Sequence, residues 1–187
     1  NYYLFYASQW REKMAYVTTS DLMNGKWSDR QVIMSPTATS NTNHMAVFDF
    51  KGKTYFVYHN GSLPKGNGYR RSPCIRELTF KEDGSIVPME ETAAGLNGTT
   101  TEFYTSSGAL LEHKYFQNSS LDGKYPYKDI KIGAGYGKSA LDRKWVVTDG
   151  KADKTKASYV SIQSENKPGL YITANSQSGV TLAQDTK

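Results

Sequence analysis

The chain has 187 residues, of which 37% are hydrophobic, 13% aromatic and 22% charged, and its formal net charge is +5. This length allows one or two small domains, and the apolar content is enough for a buried core, which excludes a disordered tail. The single cysteine, Cys74, excludes an internal disulfide framework and a cysteine-based zinc site.

The basic residues are scattered along the chain. Their densest groups, at 51–53, 70–71 and 151–156, are interrupted by polar, acidic or apolar residues. The net charge permits an anionic-polymer partner, but this dispersion favours a solvated basic surface, so no nucleic acid is expected. No apolar run approaches the roughly 20 residues needed to cross a bilayer, so no membrane partner is expected either.

The first third of the chain predicts strands. Apolar patterning indicates strands over 1–8 and 13–19, and an outer strand within 27–34. A Ser/Thr/Asn-rich loop over 35–43 then leads to His44. Loops of this kind on a rigid β scaffold commonly carry binding residues.

The central stretch predicts an antiparallel hairpin. Apolar residues at 47–50 enter a Lys-Gly-Lys turn at 51–53, and the aromatic run at 55–58 leaves it. A third strand is expected over 74–80, before an Asp-Gly turn and a short apolar stretch at 86–88. Three or four short strands in about 45 residues is the size of one β-propeller blade.

An internal repeat supports this interpretation. The run from Tyr3 to Tyr6 matches that from Tyr55 to Tyr58, an offset of 52 residues. Propeller repeats have a length of roughly 40 to 50 residues. The alternative is that any two aromatic-rich strands look alike.

The second half has a different texture. Short apolar runs are separated by Ser, Gly and Asn clusters, and the run at 109–115 is compatible with either a strand or a helical turn. The strand candidates are 102–104, 110–116, 127–132, 144–148, 158–162, 170–174 and 180–183.

The first half also resembles a known family. The succession YYLFYAS, WREKMAYVTTSDL and SNTNHMAVFDFKGKTYFVYHNGSLPKGNGYRRSPCIREL, with FKEDGSIVPM behind it, is similar to the C-terminal blades of glycoside hydrolase family 43 enzymes. The resemblance covers residues 1–96. It implies an all-β fold, a partial five-bladed β-propeller of which this chain holds the last two blades or so.

A second resemblance concerns the end of the chain. The sequence from LDRKWVV to the last residue is similar to the opening of the arabinose-binding β-trefoil domain of some α-L-arabinofuranosidases. Residues 97–187 are therefore expected to form a β-rich accessory region that resembles a trefoil and contains an incomplete sugar-binding module.

The family resemblance implies hydrolysis with inversion, which needs two carboxyl groups roughly 6.5 to 9.5 Å apart. The family uses two aspartates and a glutamate, and all three align upstream of Asn1. The chain alone is therefore expected to be inactive, and no residue in it is assigned as catalytic. The upstream blades are an expected partner.

Four residues are assigned supporting roles by the resemblance. Arg71 matches an arginine that reaches the sugar pocket, with a surface salt bridge as its alternative role, and Trp10 and Tyr69 are candidates for the rim of that pocket. His44 matches a histidine that holds an ion, often calcium, at the propeller axis. The alternative for His44 is a buried, hydrogen-bonded histidine. Further rim candidates are Arg11 and His59.

The expected parent activity is removal of α-L-arabinofuranosyl or β-D-xylosyl units from plant polysaccharides, outside the cytoplasm in an extracellular or periplasmic setting. The substrate would be an arabinose- or xylose-containing polysaccharide or oligosaccharide. A non-catalytic carbohydrate-binding protein and a propeller interaction protein without a sugar ligand are the alternatives.

Overall fold

The computed structural model describes residues 1–116, 127–132, 140–174 and 179–185. It contains one short 3-10 helix, Ala140–Arg143, and is otherwise built from strands, which confirms the all-β class. In the described residues, no helix is long and apolar enough to span a lipid bilayer. The strands are β1 Tyr2–Ser8, β2 Lys13–Thr19, β3 Gln31–Met34, β4 Ala46–Phe50, β5 Lys53–Asn60, β6 Ser72–Glu77, β7 Leu111–Phe116, β8 Tyr127–Ile132, β9 Trp145–Asp149, β10 Val160–Ser164, β11 Leu170–Ala174 and β12 Val180–Gln184.

The first sheet has the order β1-β2-β3. β1 and β2 pair antiparallel from Tyr2 opposite Thr19 to Ser8 opposite Lys13. Tyr3 and Phe5 fall on one face because successive side chains of a strand alternate, and their rings stack at 6.1 Å. The outer strand begins later than the sequence predicted, at Gln31, since the residues before it form a turn and an irregular segment.

The second sheet has the order β4-β5-β6 and contains the predicted hairpin. Phe50 pairs with Lys53, so the turn consists of two residues, Lys51 and Gly52, both with positive φ (49° and 74°). Two positive φ values define the type I′ turn that suits the twist of a hairpin. The third strand ends at Glu77 rather than Phe80, and only an isolated bridge, Phe80 to Ile86, follows it.

These two sheets share one core. The inward faces of β1 and β2 pack against the inward face of β5, where Phe56 and Tyr58 are almost fully buried. Tyr16 crosses to the far end, where its hydroxyl oxygen accepts a hydrogen bond from the Ile86 backbone N–H at 2.9 Å. Two small, open antiparallel sheets stacked in this way are consistent with a partial propeller. The buried members are Met14, Tyr16, Ile33, Met34, Phe56, Tyr58, Leu78 and Ile86.

The second half forms a single six-stranded sheet in the order β7-β8-β12-β11-β10-β9. Its core surrounds the fully buried Trp145, whose indole N–H donates to the Leu111 carbonyl at 3.1 Å. Residues 102–104 were predicted as a strand, which was wrong: only isolated bridges form there, from Thr101 to Trp145 and from Tyr104 to Leu110. The division at residue 96 and the trefoil resemblance stay predictions.

The two halves meet through buried polar groups. On the side of the first half, the Glu91 carboxylate holds residues 90–94 in place, because it accepts hydrogen bonds from the Ala38 backbone N–H at 2.7 Å and from the Asn60 amide at 2.8 Å. Glu165, in the turn after β10, accepts from the Thr92 hydroxyl at 2.6 Å, and Asn166 donates to the Glu90 carboxylate at 2.7 Å. Because buried polar groups need partners, these bonds fix how the second sheet sits against residues 90–94.

Candidate functional site

A histidine that the sequence ranked low, His59, lies at the centre of the candidate site. It is the second-to-last residue of β5 and pairs with Pro73 of β6, which brings Arg71, directly before β6, to its side. The Arg71 Nη1 atom lies 3.3 Å from His59 Nε2. From the other side, the backbone N–H of His44 donates to the same Nε2 at 3.1 Å, and the two imidazole rings are 6.1 Å apart.

These contacts assign the protonation state of His59. A guanidinium and a backbone N–H are both donors, so Nε2 must offer its lone pair and the proton must sit on Nδ1. Burial lowers the pKa of His59, and the neighbouring Arg71 and His44 lower it further. His59 is therefore neutral at pH 7 and holds the Arg71 side chain in place by accepting from it.

A buried support lies behind His59. The Asn43 side-chain oxygen accepts from the His59 backbone N–H at 3.3 Å, and the Asn43 backbone N–H donates to the Glu12 carboxylate. The Glu12 backbone N–H in turn donates to the Asn41 carbonyl at 3.0 Å. The turn between β1 and β2, the loop before β4 and the end of β5 are thereby joined.

The four predicted site residues are placed differently. Arg71 and His44 come together at His59 and are both exposed, whereas Trp10 is 53% exposed in the turn after β1 and Tyr69 is 98% exposed two residues before Arg71. The roles of all four stay predictions. Arg11, the further rim candidate beside Trp10, is only 7% exposed, and its role stays a prediction as well.

The loop that carries Tyr69 is folded tightly. The Asn67 side-chain oxygen accepts from the backbone N–H groups of Tyr69 and Arg70 at 2.8 and 3.0 Å. From β12, the Gln184 amide donates to the carbonyls of Gly61 and Gly66, both at 2.8 Å. The second half of the chain therefore holds a loop that leads into Arg71.

Four carboxylates of the first half have local structural partners. Asp21 accepts from the backbone N–H groups of Met23 and Asn24, and Asp49 from the Thr54 hydroxyl. Glu77 pairs with Lys53 at 2.6 Å, and Asp83 accepts from Ser85. Cys74 is half-buried, and burial raises the pKa of its thiol to about 12, so it is not a nucleophile at neutral pH.

The donors around His44 do not by themselves fit a calcium ion. Calcium takes six to eight oxygen ligands, whereas His44 offers one imidazole. No group of three or more His, Cys, Asp or Glu side chains suited to a metal occurs in the part of the chain that the structure describes.

The sequence analysis named His59 only as a further rim candidate, because its contact with Arg71 depends on the register of β5 against β6. The sequence marks Arg71 and His44 through the motifs around them, but only the pairing of β5 with β6 shows that one imidazole touches both. The alternation of buried residues along β5 at 56, 58 and 60 was the available signal. It places His59 on the opposite face from the core.

Comparisons with known proteins find relatives over part of the chain. No family model matches the chain. It is 46% identical over 59 residues to the arabinoxylan arabinofuranohydrolase of Paenibacillus polymyxa, a match covering 29% of this chain and 9% of that protein. It is 32% identical over 89 residues to a xylosidase/arabinosidase of Bacteroides ovatus, covering 48% of this chain and 27% of that protein.

A solved structure is similar as well. It is a GH43 β-xylosidase/α-arabinofuranosidase from a compost microbial metagenome, in complex with xylotriose and in a calcium-free form. The identity is 31%, the match covers 46% of this chain and 26% of that chain, and the TM-score is 0.41. The sequence matches confirm the resemblance to family 43 glycoside hydrolases of the xylosidase and arabinofuranosidase type. The chain spans less than a third of the length of these relatives.

Proposed function

We propose that this chain is part of a glycoside hydrolase that removes α-L-arabinofuranosyl or β-D-xylosyl units from plant polysaccharides with inversion of configuration. The observation that carries the proposal is the match of part of this chain to an arabinofuranohydrolase, 46% identical over 59 residues, and to a xylosidase/arabinosidase, 32% identical over 89 residues. The carboxyl groups of the reaction are proposed to come from residues outside this chain, since the family resemblance places them upstream and Asp21, Asp49, Glu77 and Asp83 are held in local structural contacts.

Arg71 is the proposed sugar-binding residue. One of its guanidinium nitrogens faces His59, and its other N–H groups have no partner in the described residues. A guanidinium presents several donors in a fixed plane, which suits neighbouring sugar hydroxyls or a carboxylate whose ionised form it would favour. Trp10 and Tyr69 expose their rings, and such faces pack against the apolar side of a sugar ring.

The test is an assay of the longest natural polypeptide that contains this chain together with its upstream region. Release of arabinose and xylose from arabinoxylan is measured by chromatography, and the anomer first formed is read by proton NMR. We expect pentose release with inverted configuration. The absence of release from that polypeptide would overturn the enzyme proposal in favour of a carbohydrate-binding protein.

The role of Arg71 is tested separately. Arg71→Ala should lower kcat/KM about 10- to 100-fold, because charge-assisted hydrogen bonds to the sugar are lost. Arg70→Ala removes the same charge from the neighbouring residue, whose side chain is expected on the opposite face from Arg71, so it should change kcat/KM little. A loss of melting temperature with unchanged kinetics in Arg71→Ala would contradict the assignment.

Two further expectations belong to the whole protein. We propose that His44 contacts an ion at the axis of the propeller. Metal analysis of the intact protein and of its His44→Ala variant tests this, and equal calcium content in the two would refute the role of His44. We also propose an extracellular or periplasmic location, because polysaccharide substrates are found outside the cytoplasm.

A further inference from the structure

A basic cavity lies in the second half of the chain, far in sequence from the site formed by His44, His59 and Arg71. The loop between β9 and β10, residues 150–159, lines a cavity of about 460 Å³ together with the end of β9. Its lining includes Asp149, Tyr159 and three lysines, Lys151, Lys154 and Lys156. The sequence predicted a dispersed basic surface, but this loop brings three cations around one concave space.

The backbone of this loop is fixed by its own hydrogen bonds. The Gly150 N–H donates to the Tyr159 carbonyl at 2.9 Å, and the Tyr159 N–H donates to the Lys156 carbonyl at 2.9 Å. The Lys151 N–H donates to the Ser161 hydroxyl oxygen at 3.0 Å. A Cβ at Gly150 would lie 2.8 Å from the Tyr159 Cβ, so the close approach of these two residues requires glycine.

The cavity is positively charged because its lysines are not neutralised. In the described part of the chain, none of the three lysines lies within 4.0 Å of a carboxylate oxygen. The nearby Asp153 is engaged within the loop, where its carboxylate accepts from the Thr155 N–H at 3.0 Å and hydroxyl at 2.7 Å. Those bonds lower the pKa of Asp153, so it stays ionised, but its carboxylate forms no ion pair within 4.0 Å with any of the three lysines in the described residues.

A second cavity adjoins the first across Lys151, which lines both. It measures about 370 Å³, and its lining combines apolar side chains such as Tyr171 and Ile172 with the carboxylate of Asp185. The Lys151 ammonium lies 5.9 Å from the centre of the Tyr171 ring. A cavity rich in lysine that continues into one with a tyrosine ring and a single carboxylate offers different contacts to successive units of an extended ligand.

We propose that these two cavities form a binding site for an acidic oligosaccharide, with a uronate carboxylate held by Lys154 and Lys156 and a neighbouring sugar over Tyr171. The lysines supply charge-assisted hydrogen bonds to one carboxylate. Asp149 lines the same cavity, and its carboxylate would accept hydrogen bonds from the hydroxyl groups of the sugar. Only the choice of a sugar as the anion rests on the proposed function.

The test measures binding to the full chain by isothermal titration calorimetry. The probes are a xylo-oligosaccharide carrying one glucuronate residue and the same oligosaccharide with that carboxylate reduced to the alcohol. We expect the acidic probe to bind at least about tenfold more tightly, and the difference to shrink as salt rises from 50 to 500 mM. Lys154→Gln with Lys156→Gln should abolish most of the difference.

The matched control is Lys26→Gln with Lys81→Gln, which removes two exposed lysines elsewhere and lowers the net charge equally. It should retain the preference for the acidic probe. Equal binding of the two probes, no binding of either, or an equal loss in both double variants would overturn the site. Because the readout is binding to this chain alone, failure here leaves the pentose-release assay unaffected, and failure of that assay leaves this one unaffected.

Discussion

The buried His113 should make the stability of this protein depend on acidity. His113 lies on β7, is fully buried, and its ring contacts the Trp145 ring edge-on at a centroid distance of 5.5 Å. Its Nε2 lies 2.8 Å from the Ser164 hydroxyl oxygen and 3.1 Å from the Asn166 side-chain oxygen. Burial lowers the pKa of His113 from 6.5 to about 4, although the nearby Asp142 carboxylate, 3.9 Å from Nε2, opposes the shift.

The direction of the effect follows from where the proton binds. In the unfolded chain His113 takes up a proton as the pH falls through 6.5, whereas in the folded protein it does so only near pH 4. The free energy of unfolding should therefore fall between these values, by at most about 3 kcal/mol from this residue. The other charged groups facing the pocket are Asp142, Glu90 and Lys167.

The perturbation is His113→Gln, which keeps an N–H donor for Asn166 but cannot take up a proton. At pH 7 it should cost about 1 to 3 kcal/mol, because the ring contact with Trp145 is lost and a small cavity is left. The assay is urea unfolding at pH 4, 5, 6 and 7, followed by tryptophan fluorescence. The variant should lose less stability than the wild type as the pH falls.

The control is His44→Gln, which replaces an exposed imidazole and should keep the wild-type slope. If His113→Gln and the wild type lose the same free energy between pH 7 and pH 4, the reasoning about His113 is refuted.

Two other substitutions test the structure. Gln184→Ala should raise amide hydrogen exchange over residues 61–70, because it removes the two hydrogen bonds from the Gln184 amide to the Gly61 and Gly66 carbonyls. Gln31→Ala, at an exposed position, should leave that exchange unchanged. Unchanged exchange in Gln184→Ala would show that these two bonds do not hold the loop. Gly52→Ala should lower the free energy of unfolding by about 1 to 2 kcal/mol, because φ is +74° there, in the left-handed region that disfavours a Cβ. No neighbouring atom lies within 4 Å of the added Cβ, so this backbone cost is not increased by a clash. An unchanged melting temperature would show that the turn adapts at no cost.

Local pattern was enough to predict most of the strands. The bounds expected for β2, β8 and β11 agree with those of the structure, because alternation and flanking turn residues act within a few positions of the chain. The hairpin and the position of its turn were predicted as well, whereas the two-residue turn with positive φ at Lys51 and Gly52 is a finding of the structure. Local pattern also explains the wrong prediction at 102–104. The aromatic run there looks like a strand, but it forms only isolated bridges because no neighbouring strand pairs with it along its length.

Only part of the candidate site could be predicted from local sequence pattern. Arg71 and His44 were marked by motifs, yet the residue that joins them, His59, depends on the register of β5 against β6 and on the loop that carries Asn43. The contact of Gln184 with the 61–66 loop joins residues more than 100 positions apart. No periodicity in a sequence records which distant loop an amide will reach.

The sequence by itself therefore determined the β-rich character, the hairpin with its turn, and the resemblance to a family of glycosidases. The tertiary structure decided which polar groups meet: the histidine at Arg71, the carboxylates buried between the two halves, and the lysines around one cavity. The physical reason is that strand formation responds to neighbours in sequence, whereas hydrogen bonds and charge depend on distances that only the packed chain sets.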